Sequence, residues 1–132
     1  IRTAETAGVH GIIIPKRRSA LVNSTVSKTS AGAVEHMKIA RVNNLNETIR
    51  DLKEKGLWIV GTDMNTETYY YKQDLKGPIA IVIGSEGFGM SELVKKNCDF
   101  IVKIPMKGKI TSLNASVSAG IIMYEAVRQR NK

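Results

Sequence analysis

Two segments marked by glycine and proline hold the residues best placed to do chemistry. The first reads Ile79-Ala80-Ile81-Val82-Ile83-Gly84-Ser85-Glu86-Gly87-Phe88-Gly89-Met90, an apolar run that passes into a glycine-rich turn. Open α/β sheets bind ligands in the crevice at the carboxyl ends of their strands, and glycine lets backbone approach a ligand closely. Two familiar phosphate loops are excluded. A dinucleotide fingerprint needs glycine at its third position, where this chain has Glu86, and a phosphate-binding loop needs Gly-Lys where this chain has Gly89-Met90. Glu86 would also repel a pyrophosphate, so the expected ligand is cationic, zwitterionic or hydrogen-bonding.

The second segment is Val102-Lys103-Ile104-Pro105-Met106-Lys107-Gly108, which leads into Ser112-Leu113-Asn114-Ala115-Ser116-Val117. Pro105 ends a strand and removes a donor, so neighbouring backbone groups need partners that a ligand edge can supply. Ser112 or Asn114 suits a helix N-cap. The small residues from Ala115 to Gly120 permit close backbone approach, within the chain or across a dimer interface. Gly120 inside a helix costs roughly 1 kcal/mol relative to alanine, which points to tight packing there. Tyr69, Tyr70 and Tyr71 cannot all face one way, so at least one is expected to reach solvent, where a tyrosine is able to stack on a base. The lone Cys98 excludes a disulfide framework and a Cys-rich zinc site; it reads as a small buried hydrophobe in a protein of the reducing cytoplasm.

The elements that must position these residues follow from periodicity. Apolar, β-branched runs predict strands over 11–14, 39–42, 58–61, 79–83 and 100–104, and helix-like patterns fall over 25–36, 45–55, 90–97 and about 113–130. Alternating strands and helices, with strands apolar throughout, imply an α/β fold: a parallel sheet covered by helices on both faces. Residues 1–7 read as the end of a further helix stopped by Gly8.

At 132 residues, 42% hydrophobic and 24% charged, the chain suits one globular domain rather than a disordered segment. It opens on Ile1 rather than Met, so its native start is expected upstream. No apolar stretch is long enough to suggest a membrane span. A formal net charge of +8 favours encounter with a polyanion. Residues 95–132 hold eight Lys or Arg and two acids, a candidate binding face, although Arg128, Arg130 and Lys132 equally suit the solvated end of a helix.

The residues resemble the SpoU (TrmH) family of RNA ribose 2′-O-methyltransferases, within the SPOUT superfamily. Ile1-Arg2-Thr3-Ala4-Glu5 is similar to the end of the family's first motif, Ile83 to Met90 to its second, and Ile104 to Gly108 with Ser112 to Ser116 to its third. Ser27 to Ala33 and Gly61-Thr62-Asp63 look most like members that methylate guanosine ribose in large-subunit ribosomal RNA. The resemblance implies one catalytic domain over 1–132, shortened at its N-terminus and lacking an upstream RNA-binding domain, with a C-terminal trefoil knot. It implies S-adenosyl-L-methionine held by Thr62, Gly84, Ile104, Met106 and Leu113, a homodimer, no metal, and rRNA as substrate, with tRNA as the alternative. Arg2, Glu86, Ser112 and Asn114 would be the catalytic set. A non-enzymatic RNA-binding module accounts for the charge but not for the two glycine-bearing motifs, and a nucleotide-binding domain fails on the missing lysine.

Overall fold

The computed structural model describes residues 6–15, 38–84, 90–108 and 115–131. They belong to two units, Ile1–Thr48 and Ile49–Lys132. In the first, β1 (Ile12–Pro15) pairs in parallel with β2 (Ile39–Val42), Ile12 opposite Ile39. The Ile12 N–H donates to the Lys38 carbonyl at 2.8 Å, extending the ladder by one bond. Ahead of β1, Gly8 turns the chain at φ 77, the left-handed conformation that stops a helix and favours glycine. The helix expected over 25–36 lies outside the described residues.

Helix α1 (Leu45–Glu54) shows how local sequence sets both its ends. Asn44 Oδ1 accepts the Glu47 N–H at 3.2 Å, which satisfies one of the orphan donors of the first turn. At the other end Gly56 sits at φ 95. Its N–H donates to Lys53 at 3.0 Å and the Leu57 N–H donates to Leu52 at 3.1 Å, the paired bonds of a Schellman stop.

In the second unit β3 (Trp58–Thr62) lies between β4 (Ile79–Val82) and β5 (Phe100–Val102), and all three strands run parallel. The connection from β4 to β5 carries α2 (Glu92–Asn97), and α3 (Ala115–Arg130) closes the chain. Because side chains alternate along a strand, one face of the sheet presents Val60 and Val102 to Leu75, Ile122 and Ala126, with Ile79, Ile81, Ile83 and Phe100 packed alongside. Ile122 comes from α3, so that helix covers this face. The opposite face carries Gly61. A Cβ built there would lie 2.6 Å from Cys98 Sγ and 2.9 Å from the Met90 thioether, so the segment around α2 rests directly on the strand backbone. Complete burial of Ile59, Val60 and Ile122 is worth roughly 1.5–3 kcal/mol for each side chain.

Several expected boundaries move. β5 stops at Val102 rather than 104; Lys103 makes a single parallel bridge to Tyr69, and Pro105 has no N–H with which to continue. α2 begins at Glu92 rather than 90, since Ser91 Oγ accepts the Val94 N–H and leaves Met90 free to fill the space over Gly61. A short 3-10 turn, Tyr70–Lys72, was not expected from sequence. The segments that would carry the expected knot include 109–114, outside the described residues.

Candidate functional site

The register of the three strands brings the predicted binding residues to one edge. Thr62 lies opposite Val102, and Gly61 lies opposite Val82. Thr62, Ile83-Gly84 and Lys103-Ile104 therefore leave the carboxyl ends of neighbouring strands together, where open α/β sheets receive ligands. The Thr62 hydroxyl donates to the Val82 carbonyl at 3.3 Å, tying β3 to β4 just before Gly84. Ile83, Gly84, Ile104, Pro105 and Met106 are each half-buried. Ile83 and Ile104 pack against the core cluster that holds Val102 and Ile122; an open glycine backbone beside half-buried apolar side chains is chemistry that would suit a flat heterocycle. Of the expected cofactor residues, Thr62, Gly84 and Ile104 thus lie at or just beyond these strand ends, and the half-buried Met106 follows Ile104 by two residues. Leu113 lies outside the described residues, as do Arg2, Glu86, Ser112 and Asn114.

Asp63 stands next to Thr62 at this edge, and sequence reasoning gave it no site role. Its carboxylate accepts the Asn65 N–H at 2.8 Å and lies 3.4 Å from Lys95 Nζ. The Asp63 N–H donates to Val102 at 3.1 Å, so the residue anchors the chain as it leaves β3. At the opposite, amino ends of the strands lie two cavities of about 250 and 200 Å³, lined respectively by Lys53, Trp58 and Asp99 and by Trp58, Gln73 and Phe100. Neither borders Gly84. Asp99 is occupied there by the Ile59 N–H at 2.8 Å and by Lys53 at 3.3 Å, which hold the start of β5 against β3.

Four of the eight cations in the basic C-terminal third have partners within the fold. Arg128 forms a two-pronged pair with the buried Glu125, at 2.9 and 2.7 Å, and the pairing raises the guanidinium pKa further. Arg130 donates to the carbonyls of Leu75 and Gly77 at 3.2 and 2.6 Å. Lys95 pairs with Asp63, and the Lys103 ammonium lies 5.0 Å from the Tyr69 ring centre. Except for the Arg128 pair, these contacts join distant parts of the chain, which a charge count alone does not reveal. Among the tyrosines, Tyr71 is 43% exposed while Tyr70 packs against the core, as their adjacency required. Cys98, expected as a small buried hydrophobe, is half-buried: its Sγ–H donates to Val94 at 3.4 Å, and burial, then Asp99, pushes its pKa up.

The pattern of the SpoU rRNA methylase family matches residues 1–124. A Bacillus subtilis (strain 168) protein, YacO, whose name places it in the TrmH family of tRNA/rRNA methyltransferases, is 54% identical over 131 residues, covering 99% of this chain and 53% of its own length. The chain therefore spans about half of that relative. Among solved structures, the SpoU methyltransferase AviRb from Streptomyces viridochromogenes in complex with AdoMet superposes with a TM-score of 0.90 at 31% identity, over 98% of this chain and 53% of that one. An RNA 2′-O ribose methyltransferase superposes with a TM-score of 0.91 at 31% identity, over 99% and 50%.

Proposed function

The chain belongs to the SpoU rRNA methylase family, and from that premise we propose that it is the catalytic domain of an S-adenosylmethionine-dependent RNA ribose 2′-O-methyltransferase. The supporting observation is the convergence of Thr62, Gly84 and Ile104, with Met106 two residues on, at one carboxyl edge. These residues, with Leu113, would hold the cofactor: Gly84 by leaving its backbone open, and Ile104, Met106 and Leu113 as apolar wall. Bound S-adenosylmethionine supplies a sulfonium-activated methyl group.

The chain's own residues then have to align the ribose oxygen with that methyl group and let its proton leave. Alignment is the larger contribution in such transfers. Arg2 is assigned to the substrate phosphate, because a guanidinium stays protonated throughout the working pH range and so is a poor base but an apt bidentate clamp. Ser112 and Asn114 orient the ribose or its phosphate, Glu86 holds the glycine loop or contacts the nucleotide, and the substrate phosphate assists proton removal. No metal enters this scheme. The further parts of the proposal are a C-terminal trefoil knot around the cofactor, a homodimer built on α3, cytoplasmic residence, and a guanosine of large-subunit rRNA as target, with tRNA as the alternative. Val117 and Tyr124 of α3, seven residues apart and so on one stripe, are 50% and 45% exposed, which suits a helix that meets a second copy.

Incubation of the purified chain with radiolabelled S-adenosylmethionine and either large-subunit rRNA or tRNA tests this reading. Label should enter one RNA and be recovered as a 2′-O-methylated nucleoside. Cofactor binding with label recovered on a base instead would overturn ribose as the target.

A further inference from the structure

Beyond Asp63, the loop between β3 and β4 has no part in the edge that would hold the cofactor, yet it is tied to its surroundings at both ends. Tyr70 N–H donates to Lys103 at 2.9 Å and Lys103 N–H donates to Thr68 at 2.9 Å, so this loop runs as a short extension beside the end of β5. From α3, Gln129 holds the Gln73 carbonyl at 2.9 Å and the Leu75 N–H at 2.7 Å. Between these two anchors the aromatic rings are arranged with Tyr70 against the core and edge-on to Tyr71, at 90° and 5.3 Å. Tyr69 and Tyr71 stack nearly coplanar, 5° apart in plane and 5.5 Å between centres. Tyr71 is 43% exposed. Two ammonium groups flank the pair, Lys103 at 5.0 Å from the Tyr69 centre and Lys72 at 5.8 Å from the Tyr71 centre.

We propose that Tyr69 and Tyr71 form a stacking platform for an unpaired base of RNA, with Lys72 and Lys103 holding the adjoining phosphates. Unpaired bases bind on aromatic faces bordered by cations, and every base offers a π-face. A tyrosine serving only to fill the core would resemble Tyr70; Tyr71 instead extends the stack outward into solvent. Because the pair is held by backbone bonds on one side and by α3 on the other, little conformational freedom is lost when a base adds to it. Lys103 directly precedes Ile104, so the platform adjoins the edge where the methyl donor would sit and would steady the strand beside the modified ribose.

This inference rests on the RNA reading above, and its test separates the two. The chain is mixed with a short single-stranded RNA carrying 5-bromouridine, irradiated, and the adduct mapped by mass spectrometry, while affinity is read by fluorescence anisotropy. The adduct is expected on Tyr71 or Tyr69. Tyr71→Ala should weaken RNA binding roughly tenfold, Tyr71→Phe should bind as the unaltered chain does, and Lys72→Ala should flatten the salt dependence by about 0.7 of a unit of slope, the value for one phosphate of a single strand. Unchanged affinity for S-adenosylhomocysteine in each variant shows that the fold is intact. If Tyr71→Ala binds RNA fully, or the adduct maps elsewhere, the platform is overturned while the RNA reading stands. If the unaltered chain binds no RNA, both fall.

Discussion

Gly61 shows how a single missing Cβ sets the spacing of two layers. With Cys98 Sγ and the Met90 thioether already within 2.6–2.9 Å of the position a Cβ would take, Gly61→Ala should cost about 1–3 kcal/mol by overpacking, read as a lower urea midpoint with unchanged slope. The methionine end is flexible and can retreat; the cysteine is the obstacle. Combining Gly61→Ala with Cys98→Ala should therefore recover part of the loss, and strict additivity of the two changes would show that the crowding lies elsewhere. Cys98 also yields a chemical expectation. Burial, reinforced by Asp99 and opposed by Lys53, raises its pKa, so the folded chain keeps the proton where a free thiol begins to lose it. The thiol should react slowly with iodoacetamide at mildly alkaline pH and at the ordinary rate once the chain is unfolded. Since the folded pKa is the higher one, its contribution to stability is complete below the ordinary thiol range and is lost as pH rises through the folded value. Equal alkylation rates in folded and unfolded protein would contradict the burial.

At the scale of elements, α3 acts as a clamp on the loop that enters β4. Glu125, 8% exposed, receives Arg128 and also the Gln129 amide at 2.8 Å, and that amide continues to the Gln73 carbonyl while its oxygen accepts from Leu75. Removing the amide with Gln129→Ala leaves the Leu75 N–H without its partner, a cost of about 1–3 kcal/mol for a buried donor. Hydrogen exchange at Leu75 should accelerate far more than at Val60, which sits in the sheet; equal acceleration at both would mean that the loop and sheet open as one unit. None of this network was legible in the sequence, where Arg128 and Arg130 read as the solvated end of a helix, because their partners lie more than fifty residues away or are buried by tertiary packing. The strands were legible, since Ile79 to Val82 and the fully buried Ile59 and Val60 form apolar, β-branched runs, although Trp58 at the start of β3 is 52% exposed. Their ends were not. Where β5 stops depends on Tyr69 arriving beside Lys103, and where α2 starts depends on Ser91 capping while Met90 is drawn onto Gly61. In the candidate site, Gly84, Ile104 and Met106 stand out in the sequence by glycine and proline punctuation and by the family resemblance, whereas the Tyr69–Tyr71 stack requires a turn that no periodicity marks.

For the whole molecule, ligand binding and folding are linked, and that linkage distinguishes a cofactor edge from a merely tight turn. Anything that binds only the folded chain stabilises it by RT ln(1 + [L]/Kd), about 2.7 kcal/mol when the ligand is at one hundred times its dissociation constant. S-adenosylhomocysteine should therefore raise the melting temperature in proportion to the logarithm of its concentration. Gly84 is half-buried at the end of β4, beside the Thr62 bond to Val82. Gly84→Val places a branched side chain in the space through which the backbone would meet the ligand, so the variant should melt close to the unaltered chain without ligand and show no rise with it. Two controls give the result its meaning. Tyr71→Ala leaves that edge untouched and should keep the full ligand-dependent rise. Thr62→Val removes the hydroxyl that ties β3 to β4 beside Gly84 but keeps the shape, so it should lower the melting temperature slightly and reduce the rise without abolishing it. A ligand-dependent rise in Gly84→Val equal to that of the unaltered chain would place the cofactor away from this edge, and the convergence of Thr62, Gly84 and Ile104 would then be a matter of strand packing alone.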